Sequence, residues 1–116
     1  MLRFALKSKI HRVRVTDTHL DYEGSIEIDE DLLLAADIKV NELVEVVNLN
    51  SGNRFNTYAI KGKKGSGTIS LNGGAARLGV VGDYLLVFTF CLIETVDFGS
   101  HKPKIIRVDK ENRPIK

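Results

Sequence analysis

Few residues of this chain can do covalent chemistry, and the most telling pair is Gly24-Ser25, inside LDYEGSIEID at 20–29. Leu20 and Tyr22 precede it, Ile26 and Ile28 alternate with acids after it, and the pair breaks the alternation. A bulge or a corner accounts for such a break. So does a bond that the protein cuts by itself. A serine hydroxyl can attack the carbonyl of the preceding residue and turn the amide into an ester, and a glycine there, lacking Cβ, enters the strained backbone this requires. A polar donor such as Thr57 could stabilise the oxyanion. Loss of the serine Cα proton then expels Gly24 as a carboxylate and leaves dehydroalanine, and hydrolysis of that group releases ammonia and leaves a pyruvoyl cap on residue 25. Such a ketone, beside an amide carbonyl, forms a Schiff base with an amine and acts as an electron sink, the work otherwise done by pyridoxal phosphate.

A second stretch, NGGAA at 72–76, offers consecutive small residues at a turn into a helix, where backbone N–H groups can approach an anion. A tight turn with close packing explains it equally well. Other catalytic sets are missing. His11, His19 and His101 lack cysteines or paired acids at metal-ligand spacing, so no metal is expected. GKKGSG lacks the G-K-[ST] ending of a phosphate-binding loop and reads as a flexible, solvated loop. Cys91, the only cysteine, sits in the apolar run YLLVFTFCLI at 84–93 and reads as a small buried hydrophobe. It excludes an internal disulfide.

At 116 residues, 43% hydrophobic and 28% charged, the chain suits one globular domain. Its longest apolar run falls well short of the roughly 18–20 residues that span a bilayer, and MLRFALKSK does not resemble a signal peptide. We therefore expect a cytoplasmic protein with no membrane partner. The net charge of +2 is scattered apart from Lys61-Gly62-Lys63-Lys64, and there is no Trp, which argues against nucleic acid.

Strand signals dominate. HRVRVT (11–16), Ser25–Ile28, ELVEVVNL (42–49), RFNTYAI (54–60), TISL (68–71), the run from Tyr84 and KIIRVD (104–109) read as strands. DEDLLLAADI (29–38) reads as a short helix opened by acids, NSGN (50–53) as a hairpin turn, and NGGAARL (72–78) as a turn with a short helix. KENRPIK reads as a loose tail. AADIKVNELVEVV (35–47) and AARLGVVGDYLLV (75–87) echo one another at a spacing of 40, which suggests two similar halves of a closed β-barrel.

With YEGS at 22–25, SGNRFNTYAI at 51–60, SKIHRVRVT at 8–16 and ISLNGGAARL…VGD at 69–83, the sequence resembles the bacterial aspartate 1-decarboxylases, pyruvoyl enzymes that make β-alanine for pantothenate synthesis. The resemblance implies a mainly β fold, a double-psi β-barrel with short helices, assembled as a homotetramer with active sites between subunits. It implies self-cleavage of the domain 1–116 into a β chain of 1–24 and an α chain of 25–116, with Gly24, Ser25 and Thr57 taking part. Ser25 would become the covalent pyruvoyl cofactor and Tyr58 would return a proton after CO2 leaves L-aspartate. Arg54 and Lys9 would hold carboxylates, Thr57, Tyr22, His11 and Asn72 would line the pocket, and the Gly73, Gly74 and Ala75 backbone would cradle the substrate. An accessory maturation protein is a possible partner.

In an ideal strand Arg54, Asn56 and Tyr58 share one face and Thr57 takes the other, so both neighbours can serve one site only through a twist, a bulge or a subunit boundary. Val47 stands where many relatives carry an aromatic residue, and Gly74 where alanine is common. The alternative is a non-catalytic small β-barrel module that binds an anionic ligand; it predicts an intact chain.

Overall fold

The computed structural model describes residues 1–115. Its strands are β1 (Leu2–Arg14), β2 (Asp17–His19), β3 (Ser25–Asp29), β4 (Leu43–Asn48), β5 (Arg54–Gly62), β6 (Ile69–Asn72), β7 (Tyr84–Glu94), β8 (Lys104–Val108) and β9 (Pro114–Ile115). Two short helices, α1 (Glu30–Ala36) and α2 (Thr95–Phe98), and a 3-10 helix over Gly73–Leu78 complete it.

The strands form one sheet in the order 2-6-3-5-4-7-1-8-9. Only Val15 and Thr16 separate β1 from β2, although these strands lie towards opposite ends of that order. The sheet must therefore roll until its ends meet. The Val15 N–H donates to Asp83 O at 2.9 Å and the Thr16 N–H to Ile69 O at 2.8 Å, sealing the junction. The result is a small, mainly β barrel with short helices, the expected fold class.

Alternation builds the core. Val13 and Val15, Ile26 and Ile28, Val44 and Val46, and Leu85 and Val87 all point inward and are buried, and Leu32, Leu33 and Ala36 of α1 close one end. The echo holds at this level: each half runs short helix, turn, strand, and β4 and β7 pair side by side with Val46 opposite Val87.

Asp29, fully buried, organises more than its position suggests. Its carboxylate caps α1 through the Asp31 N–H at 2.8 Å and accepts from the N–H groups of Gly65 (3.0 Å) and Gly67 (2.8 Å). The glycine-rich loop is thus pinned at its base, contrary to the flexible loop expected, while its lysines stay exposed.

Three further expectations fail. The strand expected over 11–16 instead begins at Leu2 and ends at Arg14, because β1 runs the whole length of β7. The run 84–93 is a buried strand only as far as Thr89; beyond it β1 and β7 continue as a two-stranded ribbon outside the barrel, leaving Phe90 and Leu92 exposed and Cys91 half-buried. The tail is not loose over the described residues. Asn112 is buried, donates to Arg14 O (2.8 Å) and Gly67 O (2.9 Å) and accepts from the Arg14 N–H (2.8 Å), and β9 pairs with β8. Lys116, the last residue of that tail, lies outside the described residues.

Candidate active site

Ser25 opens β3, opposite Asn72 at the end of β6, and is 2% exposed. Asn72 Nδ2 donates to Ser25 Oγ at 3.3 Å, and Asn72 Oδ1 accepts from the Ser70 hydroxyl at 2.8 Å. Ser70 thereby fixes which end of the amide faces Ser25. The Ser25 hydroxyl donates to Glu23 O at 3.4 Å, so its proton already leans on the backbone just before the Gly24–Ser25 bond.

The turn after β6 presses on that bond. Gly73 has φ of +62°, and a Cβ there would sit 2.6 Å from the Cα and N of Gly24 and 2.8 Å from Tyr22 O. No side chain fits, so Gly73 is a close-approach glycine against the seam. At Gly74 a Cβ meets nothing within 4 Å, so the alanine common there would fit. Ala75 is buried against the core.

β5 runs parallel to β3 on its other side, with Ile26 level with Ala59. Continued by one residue to the start of β3, that register sets Tyr58 level with Ser25, with Thr57 the next residue along β5 on the side of the Gly24 bend. Ile26 and Ala59 point into the core, so Ser25 and Tyr58 share the outer face. Both neighbours on β5 thus lie at the end of the strand that faces the Gly24–Ser25 bond, and no bulge interrupts the β4–β5 ladder here. Arg54 lies on the same outer face as Tyr58 at the start of β5, where its guanidinium pairs with Glu45 across the ladder.

Lys9 and His11 are not brought to Ser25 within one chain. Straight across the sheet, His11 is level with Leu86, Val47 and Arg54 in turn, and Lys9 with Phe88, Glu45 and Asn56. Three interstrand steps of about 4.8 Å put His11 roughly 14 Å from the Arg54 backbone, and β3 lies one strand further. Lys9 Nζ sits 5.7 Å from the Phe88 ring centroid. Burial first, then the charges of Lys9, Arg107 and Arg12, hold His11 below its ordinary pKa of 6.5. Tyr22 reaches the seam only through its backbone; its exposed ring stacks on His19 with centroids 4.5 Å apart. Val47, half-buried, belongs to the His11 row and packs between Leu86 and Arg54.

Sequence reasoning missed Ser70, Glu45 and His19. Ser70 is two residues before Asn72, one side of a strand apart, so alternation could have flagged it. Glu45 declares itself only once the hairpin register places it beside Arg54. His19 is set by the parallel pairing of β2 with β6, which has no local signature.

Among the described residues no group of three or more His, Cys, Asp or Glu could hold a metal, and no helix is long and apolar enough to cross a membrane. The arrangement can do acyl chemistry at one serine and grip an anion with one arginine. A family model described as aspartate decarboxylase matches residues 1–115. An aspartate 1-decarboxylase of Caldicellulosiruptor bescii is 56% identical over 96% of this chain and 87% of its own length. One from Thermoanaerobacter pseudethanolicus is 51% identical over 99% of this chain and 98% of its own, and one from Caldicellulosiruptor saccharolyticus 54% identical over all of this chain and 91% of its own. With these matches spanning the barrel, the chain belongs to the aspartate decarboxylase family, enzymes that release CO2 from L-aspartate.

Proposed function

We propose that this enzyme makes its own catalytic group by cutting the Gly24–Ser25 bond, and that residues 1–24 and 25–116 then persist as a β and an α chain. The observation that carries the reading is the buried Ser25 hydroxyl, held by the Asn72 amide in a seam that Gly73 lines without a side chain. Ser25 Oγ attacks the Gly24 carbonyl carbon, and Thr57, on the side of the Gly24 bend, stabilises the oxyanion. The C–N bond breaks to give the ester. Removal of the Ser25 Cα proton then breaks the Cβ–Oγ bond, Gly24 leaves as a carboxylate, and hydration of the remaining enamine releases ammonia.

Asn72 Nδ2, aimed at Ser25 Oγ, holds the attacking oxygen, which departs with the Gly24 carboxylate when the Cβ–Oγ bond breaks, while the ketone of the two-carbonyl cap forms at Cα. The cap supplies an electron sink for the bond that breaks as CO2 leaves L-aspartate to give β-alanine. Arg54 holds a substrate carboxylate as a charge-assisted pair, exchanging it with the Glu45 carboxylate it meets in the free chain. Tyr58, level with residue 25, holds at its phenolic oxygen the proton delivered to the substrate carbon. Asn72 and the backbone at Gly73, Gly74 and Ala75 orient the substrate. Burial at the seam excludes water and favours dispersal of the carboxylate charge.

Lys9 and His11 join this site from a neighbouring copy, in a homotetramer with sites between subunits. Two observations support that: they lie several strands from Ser25 in their own chain, and the β1–β7 ribbon exposes Phe4 (77%), Phe90 (46%) and Leu92 (55%) together, an apolar patch of the kind that copies bury against one another. We place the reaction in the cytoplasm, which fractionation checks.

The intact mass of purified protein under denaturing conditions tests the cut. Scaled by length from 12.9 kDa, fragments of about 2.7 and about 10 kDa are expected, the larger about 17 Da lighter than one beginning with serine, because an amine gives way to a ketone. A chain still uncut after prolonged warming overturns unaided cleavage; if an accessory maturation protein then restores the two masses, the need for it is established.

A further inference from the structure

A cavity of about 650 Å³ opens beside β1, β8 and the turn that follows β8, away from Ser25. β1 is bulged at its edge: His11 pairs with Leu86 and Val13 with Leu85, so Arg12 is the extra residue and takes φ of 65°. That conformation is strained for arginine. Its effect is to send His11 and Arg12, consecutive residues, to the same side of the sheet. The Arg12 guanidinium lies 4.6 Å from the centre of the Tyr84 ring and that of Arg14 lies 5.9 Å from it. β8 sets Arg107 level with His11, and the following turn adds Lys110.

Four cations therefore line one cavity. The only acid on its wall among the described residues, Asp109, already accepts the N–H groups of Arg113 (3.0 Å) and Glu111 (2.9 Å) through Oδ1, and these bonds hold its carboxyl below the usual carboxylate range. Among the described residues Lys7, Arg54, Lys64 and Arg113 each pair with a carboxylate, and none of the four cavity cations does. His11 Nδ1, at the cavity edge, is buried with no hydrogen-bond partner. Gathering unpaired like charges around a strained bulge works against the fold unless a counter-charge occupies the space.

We propose that this cavity binds a small polyanion of phosphoryl type, a phosphate ester or diphosphate. Guanidinium groups offer paired N–H donors that match phosphoryl oxygens, and three of them converge here with an ammonium. The volume exceeds what inorganic phosphate fills and lies within the range of about 300–1,000 Å³ typical of organic ligands. Ser25 of the same chain takes no part in this cavity, although His11 at its edge is one of the residues that the proposed function lends to a neighbouring copy's reaction site.

Titration calorimetry of the assembled full-length protein with inorganic pyrophosphate, at low and high salt, tests it. Binding that weakens with salt is expected, about tenfold or more weaker in the double variant Arg107→Ala/Lys110→Ala, whose decarboxylation without pyrophosphate stays at the native rate. Arg54→Ala should bind pyrophosphate as the native protein does. Because both replaced side chains are exposed, circular dichroism should show an unchanged fold, and the His11 ring resonances of the native protein should shift on titration, a readout that needs no variant. No pyrophosphate binding, equal binding by the double variant, or loss confined to Arg54→Ala each overturns the proposal; the last would put the anion in the reaction site. Absent binding together with dissociation of the double variant into smaller species would instead assign the cavity to acids of a neighbouring copy.

Discussion

At the Gly24–Ser25 seam, polar groups are answered from within the fold: Ser70 holds Asn72, Asn72 holds Ser25, and Ser25 holds the Glu23 carbonyl. Along the outer face of β1 they are not. His11 Nδ1 has no partner, and the cations beside it lack acids among the described residues. Ser25 and Asn72 in the first region, and Lys9 and His11 in the second, are residues expected at one active site. The contrast separates what one chain prepares by itself, a buried and hydrogen-bonded serine, from what waits for something outside the chain.

The sharpest way to break that division is to mix two crippled chains. Ser25→Ala lacks the reacting group and Lys9→Ala lacks the remote cation, and each alone should lose at least about a thousandfold in kcat/KM, the scale on which essential catalytic groups act. Co-assembled, they should regain readily measurable activity, because one subunit then offers an intact seam and its neighbour an intact Lys9. No recovery in mixed assemblies would place Lys9 in its own chain's site.

Next comes the glycine pair. Gly73→Ala forces a Cβ within 2.6 Å of Gly24 at a positive φ, so a loss of about 1–3 kcal/mol in stability from the backbone alone is expected, with slower cleavage. Gly74→Ala, with open space around it, should be neutral within about 0.5 kcal/mol. Thermal unfolding and the time course of the fragment masses read both, and equal behaviour would dissolve the special contact at the seam.

Ser70→Ala should act more gently, freeing the Asn72 amide to turn. The loss of one hydrogen bond is worth about 1 kcal/mol, hence cleavage several-fold slower with the fold intact. Native rates would show that Ser70 does not orient Asn72.

The smallest effect belongs to His11. It is faced by Lys9 and Arg12 of its own strand, by Arg107 of β8 and by the apolar Leu86 of β7. Its folded pKa lies below 6.5, so the unfolded chain takes up the proton first as the pH falls. The stability that neutral His11 contributes is intact above pH 6.5 and is lost as the pH drops through the folded value. Arg107→Ala should move the His11 midpoint upward in an NMR titration. An unmoved midpoint would mean that Arg107 does not act on this ring.

Where alternation decided structure, the sequence was readable: Val13/Val15, Ile26/Ile28 and Val44/Val46 point where their spacing says. Helix α1 was readable from its acids, although Asp29 proved to serve the glycine-rich loop as well. The N-terminal half of β1 was not, because its alternation is blurred by a second bulge between Leu6 and Ser8 and by apolar side chains that face solvent on the ribbon. Nor was β9, whose anchor is the single buried Asn112, a contact across 98 residues of sequence. For the site, the stretches around Ser25, Thr57 and Asn72 could be picked out by type and spacing. That Tyr58 comes level with Ser25 could not, because it depends on the parallel register of β3 and β5. Glu45, too, appears only when the strands are paired.

β1 occupies an interior place in the sheet, with β7 on one side and β8 on the other, and Asn112 stitches its end to the opposite side of the barrel. Once the Gly24–Ser25 bond is cut, the short piece cannot be peeled from an edge; it can leave only if the barrel opens. The proposed scission would thus be silent in the folded enzyme and decisive in the unfolded one. A single uncut chain closes its barrel in a step independent of dilution, whereas a processed pair would have to find each other first, so a cut here would add a concentration-dependent step ahead of any assembly of copies.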